Sequence, residues 1–88
     1  MATATFEDDI TYATCPVFDR EHVAAFNDAT LPLEYEIWEG CQGDEQFDWE
    51  VGINLRLIRA EIVRRAQAEP ANGALRAFAE AKGIEVAA

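Results

Sequence analysis

The feature that most constrains the fold is an alternation of apolar and polar residues near the middle of the chain. From Phe47 to Leu57 apolar side chains occupy every second position, and a shorter alternation covers residues 33–37. Such a period of two places the apolar side chains on one face of a β-strand. Between the two runs, the glycine-containing polar segment 40–46 is typical of a loop. We therefore predict an antiparallel β-hairpin with strands at about 33–39 and 47–57. Its core face would consist of Leu33, Tyr35, Ile37, Phe47, Trp49, Val51 and Ile53.

The same residues support an alternative, a long helix over residues 45–68 with Asp44 as its N-cap. In that helix one face would be formed by Phe47, Val51, Leu55, Ile58 and Ile62. The helix would leave Trp49 outside this face and hold Gly52 in its interior, where glycine costs about 1 kcal/mol relative to alanine. The hairpin is therefore the favoured prediction, and a mostly α-helical fold is the alternative.

Two elements are predicted on the N-terminal side of this region. Residues 10–14 form a short extended candidate that ends before Cys15 and Pro16. Asp19 is suited to cap a short helix over residues 20–26, because a carboxylate at the N-cap accepts hydrogen bonds from the first free amides.

The C-terminal side carries clearer helix signals. Residues 58–69 are predicted as helix under either interpretation, and Glu61 lies three and four residues before Arg64 and Arg65, where it can pair with them. A last helix begins at Asn72 or Gly73 and runs through Lys82. Gly83 then provides a left-handed stop after which Ile84 folds back onto the helix.

The predicted fold class is α+β, with a small antiparallel sheet and two to three helices packed on one of its faces. The 88 residues form a single small acidic domain, which buries one modest core. No apolar run reaches the length of a membrane span, and the first residues lack the pattern of a signal peptide, so we expect a cytoplasmic protein without a membrane partner.

The charge of the chain is distributed unevenly. Residues 1–50 hold 13 acids and one base, whereas residues 51–88 hold four acids and six bases. From Asp28 to Glu50 there are eight acids and no base. A protein with this distribution and a net charge of −10 is unsuited to direct nucleic-acid binding, which depends on neutralising phosphates.

The residue types that carry catalysis are sparse. His22 is the single histidine, and the two cysteines are Cys15 and Cys41. Their spacing matches none of the close ligand pairs that are typical of structural zinc, and no glycine-rich phosphate loop is present. We therefore expect no enzyme activity, no metal site and no cofactor.

The acids of the predicted hairpin are the candidate binding residues. On the strand interpretation, alternate carboxylates project from the face opposite the core and lie about 6.8 Å apart along each strand, comparable to the spacing of successive phosphates on a nucleic acid. Others extend the row around the loop. Trp38 would stand among them as an exposed anchor for an arginine-rich partner, unless a bulge turns it inward. The candidate partner-binding residues are Glu34, Glu36, Trp38, Glu39, Asp44, Glu45, Asp48 and Glu50.

These observations favour a small acidic inhibitor that docks on a basic, nucleic-acid-binding surface of another protein and mimics the nucleic acid. Phage and mobile-element anti-defence proteins, such as anti-CRISPR inhibitors, use this physical strategy, which is an analogy and not a shared motif. The alternative is a non-catalytic adaptor subunit or homodimer with an apolar interface that includes Leu57, Leu75 and Phe78. A solvated acidic surface without a partner is the third interpretation.

Overall fold

The computed structural model describes residues 15–86, whose regular secondary structure is entirely helical. It contains four α-helices and one short 3₁₀ helix, and none of these residues lies in a β-strand. The helices are α1 (Arg20–Ala24), α2 (Thr30–Gly40), α3 (Asp48–Ala68) and α4 (Gly73–Ala81), with the 3₁₀ helix (Glu45–Phe47) leading directly into α3. The long helix α3 is the centre of the fold, because α1, α2 and α4 all pack against it.

The predicted hairpin and the α+β fold class are therefore wrong, and the helical alternative for residues 45–68 is correct. The reason is a longer apolar pattern that includes the alternating segment. Five buried side chains recur at helical spacing along α3: Val51, Leu55, Ile58, Ile62 and Ala66. This stripe covers more than four turns and continues into the part that is helical under either interpretation. The helical pattern of this stripe determines the conformation in place of the alternation. The resulting helix leaves Trp49 on the surface.

Helix α2 replaces the other predicted strand for the same reason. Leu31, Tyr35 and Trp38 are buried at positions i, i+4 and i+7, so the helical period selects the core side chains. Leu33 and Ile37, which the hairpin would have buried, are 60% and 57% exposed. The alternation over residues 33–37 thus mixed one core side chain, that of Tyr35, with two surface ones.

The predictions for the flanking helices are largely confirmed. Asp19 caps α1 by accepting a hydrogen bond from the His22 amide at 2.8 Å, and Val23 of α1 is buried. Asn72 caps α4 in the same way, accepting from the Leu75 amide at 3.3 Å. The extended candidate at residues 10–14 lies outside the described residues.

Helix α4 ends in the C-terminal stop that the sequence predicts. Gly83 adopts a positive φ of 72°, a conformation that a side chain would strain. The chain then turns back, so that the Ile84 amide donates to the Ala79 carbonyl at 2.8 Å and the Ile84 side chain is buried.

An ionic network centred on the buried Arg65 joins α3 to the end of α1 and the segment after it. Glu61 accepts hydrogen bonds from Arg64 and from Arg65, as the sequence predicted, and the Arg65 guanidinium also donates to Asp28 at 2.8 Å. Arg65 further donates to the carbonyls of Ala24 and Phe26, which fixes the segment after α1 against α3. The hydrogen bond from Arg64 holds the pKa of Glu61 at about 2, and burial opposes this only in part.

Asn54 holds the segment before α1 against the other half of α3. Its side-chain oxygen accepts from the Phe18 amide and its amide donates to the Pro16 carbonyl, both at 2.8 Å. In the predicted strand 47–57 Asn54 would lie on the polar face, whereas the structure buries it. Across residues 15–86, no helix combines the length and hydropathy that a bilayer crossing needs.

Candidate protein-binding site

The turn between α2 and α3 gathers half of the predicted site residues into one segment, residues 44–50, which we call the acidic turn. The Asp44 carboxylate accepts from the Gln46 amide at 3.0 Å and so begins the 3₁₀ helix. Asp48 and Glu50 follow in the first turn of α3. With Glu45, the segment holds four carboxylates and no base.

The predicted site residues on α2 are engaged in contacts within the protein. Glu34 accepts from the indole nitrogen of Trp38 at 3.3 Å. The ammonium of Lys82, which follows α4, lies 2.8 Å from a carboxylate oxygen of Glu39 and 3.4 Å from one of Glu36. The hydrogen bond to Glu39 and that to Glu36 raise the pKa of Lys82, so the ammonium stays charged. Lys82 thus partly neutralises the charge of Glu36 and Glu39.

The carboxylates of the acidic turn are different, because none of them forms an ion pair with a residue between 15 and 86. Their position at the start of a 21-residue helix is favourable, since the positive end of the helix dipole stabilises negative charge there. The helix dipole thus offsets part of the repulsion among these four carboxylates.

The burial of the two tryptophans is the reverse of what the sequence predicts. Trp38, expected as an exposed anchor, is 9% exposed, and its ring meets that of Phe18 edge to face at 5.5 Å. Trp49, expected in the core, is 69% exposed between Asp48 and Glu50. Both expectations failed for the same reason: they assumed the two-residue period of a strand, whereas both tryptophans lie in helices, whose period is different.

The structure therefore separates the predicted site into two groups instead of one row across a sheet. Trp38 belongs to the core, and Glu34, Glu36 and Glu39 lie on α2 beside it. The second group is the acidic turn with Asp44, Glu45, Asp48 and Glu50. It also contains the exposed Trp49, which was not among the predicted site residues. The helical alternative contained the signal for Trp49, since it already placed that residue off the apolar face.

Cys15 lies close enough to the acidic turn to be affected by it. Burial raises the pKa of the Cys15 thiol, and the charges of Glu50, Cys41 and Asp44 raise it further. A thiol in this environment is disfavoured as a thiolate and hence as a nucleophile. Residues 15–86 contain no group of histidine, cysteine and acidic side chains arranged to hold a metal ion.

Comparisons with known proteins add no assignment: no protein family, no curated protein and no solved structure matches this chain.

Proposed function

We propose that this protein is an acidic docking protein that binds a basic surface of a partner protein through the acidic turn, with Trp49 as the anchoring side chain. The observation that carries the proposal is an exposed tryptophan flanked by carboxylates that have no ion pair among the described residues.

The chemistry of the acidic turn suits an arginine-rich partner. A guanidinium can stack on the face of an exposed indole while its N–H groups donate to a neighbouring carboxylate. Asp48 and Glu50 flank Trp49 in sequence, and Glu45 precedes it by one helical turn. Tryptophan and arginine are also the side chains that most often dominate the binding energy of protein interfaces.

The distribution of bases argues against solvation as the whole explanation. Solubility is served by interspersed charges of both signs. Here the described lysine and two arginines pair with carboxylates elsewhere, at Glu36, Glu39, Glu61 and Asp28, and the acidic turn is left with one sign of charge. An unpaired anionic surface on a protein of net charge −10 steers a basic partner toward it.

The partner class that we propose is a protein whose basic surface binds nucleic acid, so that docking would block that surface. Such a surface already carries the arginines and lysines that phosphates require. We also propose a cytoplasmic location, because the free thiols of Cys15 and Cys41 suit a reducing compartment.

The test compares two variants of equal charge. The first is D44N/E45Q/D48N/E50Q, in which asparagine at position 44 can still cap the 3₁₀ helix. The control is E21Q/E69Q/E80Q/E85Q, which neutralises four exposed acids that also lack ion pairs among residues 15–86. Each chain is immobilised and exposed to the heparin-binding proteins of a cell lysate, and bound protein is eluted with rising salt, with and without competing DNA.

We expect the wild type and the control variant to retain a partner that elutes at moderate salt and is displaced by DNA, and the first variant to lose it. Equal retention by both variants would refute the proposal. A partner that resists high salt and binds all three chains would instead indicate an apolar interface, for which the exposed side chains of Val17, Leu33 and Ile37 are candidates.

A further inference from the structure

A groove between α1 and α3 has the opposite charge to the acidic turn. It encloses about 510 Å³ and is lined by Arg20, Val23 and Ala24 of α1 and by a stripe of α3. The α3 residues are Arg56, Leu57, Ala60, Glu61 and Arg64. Three of the seven bases in a protein of net charge −10 thus line one groove, which we call the arginine groove.

The contacts at the two ends of α1 set its direction along α3. At its start, the Phe18 amide is bonded to Asn54, and at its end the carbonyls of Ala24 and Phe26 are bonded to Arg65. Helix α1 therefore runs in the same direction as α3. Arg20 consequently lies toward the Arg56 end of the groove, and Ala24 lies toward the Arg64 end.

The two ends differ in charge. Arg64 donates two hydrogen bonds to Glu61, at 2.9 and 2.6 Å, so the charges at that end offset each other. Neither Arg20 nor Arg56 forms an ion pair with a residue between 15 and 86. Between the ends, the lining is made of Val23, Ala24, Leu57 and Ala60. The groove thus offers, at one end, two guanidinium groups that have no ion pair among residues 15–86, and an apolar wall beyond them.

From this arrangement we infer that the arginine groove binds a small amphiphilic anion, with its carboxylate or phosphate head on Arg20 and Arg56 and its apolar body along Leu57 and Ala60. Guanidinium groups recognise such heads through paired hydrogen bonds. A mostly apolar cleft of several hundred Å³ with a few fixed polar groups is typical of sites for small molecules. This site is independent of the acidic turn and of the function proposed for it.

The test uses decanoate as the probe, below its micelle concentration, and isothermal titration calorimetry on the full chain. Decyltrimethylammonium has a similar apolar body and the opposite charge, so it reports binding that does not need the arginines. The variants are R20Q/R56Q, which removes the proposed head contacts, and A60W, which fills the apolar part and leaves both arginines in place. The control is R59Q, which removes a guanidinium of the same helix that does not line the groove.

We expect decanoate to bind the wild type and R59Q within twofold of each other, and to bind R20Q/R56Q and A60W at least tenfold more weakly, while circular dichroism shows that all variants remain folded. Decyltrimethylammonium should bind weakly to every chain. The inference is overturned if decanoate does not bind the wild type, if R20Q/R56Q binds it equally well, or if the cationic probe binds as tightly.

One further variant tests whether an acidic segment of the chain itself, and not a separate ligand, occupies the arginine groove. In E7Q/D8N/D9N, three acids that precede the described residues are neutralised. Binding of decanoate to this variant but not to the wild type would identify the chain's own acidic segment as the occupant and would overturn the assignment to a separate ligand. Equal binding to both chains is the result that we expect.

Discussion

Arg65 and Glu61 show how single residues stabilise a small acidic helical protein. Arg65 donates four hydrogen bonds, to Glu61, to Asp28 and to the carbonyls of Ala24, at the end of α1, and of Phe26. A buried guanidinium is costly unless its donors are satisfied, and here they link α3 to the loop between α1 and α2. Burial alone would lower the pKa of Arg65, but its hydrogen bonds to Glu61 and Asp28 outweigh this and raise it.

The pKa of Glu61 gives this network a specific dependence on pH. Because the folded value of about 2 lies below the ordinary value of 4.5, the carboxylate stabilises the fold above about pH 4.5, and this contribution is lost as the pH falls toward 2. We expect E61Q to lower the free energy of unfolding at pH 7 by about 1–2 kcal/mol, a value reduced to allow for the solvent around Arg64. Urea unfolding at pH 7, 5 and 3 measures the difference, which should narrow at the lowest pH.

The control for this prediction is E80Q, which removes an exposed carboxylate of α4 that forms no ion pair among residues 15–86. Its effect on stability should be within about 0.5 kcal/mol of zero. A constant difference between wild type and E61Q at all three pH values would contradict the role of the Glu61 carboxylate.

At the scale of elements, α3 determines the fold, and Gly52 provides a direct test of it. Gly52 lies inside α3, and a Cβ at this position would meet no heavy atom within 4 Å apart from its chain neighbours and the adjacent backbone of its own helix. Alanine should therefore stabilise the protein by about 0.5–1 kcal/mol, since it loses less backbone entropy in a helix than glycine does. The melting temperature of G52A should rise.

The matched control is G83A. Gly83 has the positive φ at the end of α4, which alanine adopts only with strain, so this variant should lose about 1 kcal/mol or more. A destabilising effect of G52A equal to that of G83A would contradict a helical conformation at Gly52.

The flanking elements could be predicted from sequence because their signals are local. Asp19, Asn72 and Gly83 act through the backbone groups next to them, and the pairing of Glu61 with Arg64 depends only on helical spacing. The segment from Phe47 to Leu57 could not be assigned in this way, because its apolar residues satisfy both periods. Only packing of the complete stripe from Val51 to Ala66 against α2 decides between them.

The same ambiguity explains what was missed at the candidate site. The acids of the turn can be recognised as a group from the sequence, since their negative charge does not depend on the fold. Their spacing on a sheet face was wrong, and so was the exposed position expected for Trp38, which is buried while Trp49 is exposed. A period error of this kind exchanges buried and exposed side chains while it leaves the charge of the segment unchanged.

At the scale of the whole molecule, folding converts the uneven charge of the chain into two distinct surfaces. The acidic turn lies at the start of α3, and the arginine groove lies farther along the same helix. Among the described residues, the bases of the second half of the chain form no ion pair with the acidic turn. Arg64, Arg65 and Lys82 pair with other acids, and Arg56 lines the groove. Arg59 donates to the Tyr35 hydroxyl and Arg76 to the Ala66 carbonyl. We propose a different kind of binding partner for each of these two surfaces.

Trp49 is an exposed side chain next to carboxylates that have no ion pair among residues 15–86, and collisional quenching of its fluorescence tests this most directly. The difference between wild type and W49F isolates the emission of Trp49 from that of Trp38. We expect caesium ions to quench Trp49 strongly and iodide to quench it weakly, because the carboxylates attract the cation and repel the anion. In D44N/E45Q/D48N/E50Q this contrast should shrink. Equal quenching by the two ions in the wild type, or no quenching by either, would contradict the account.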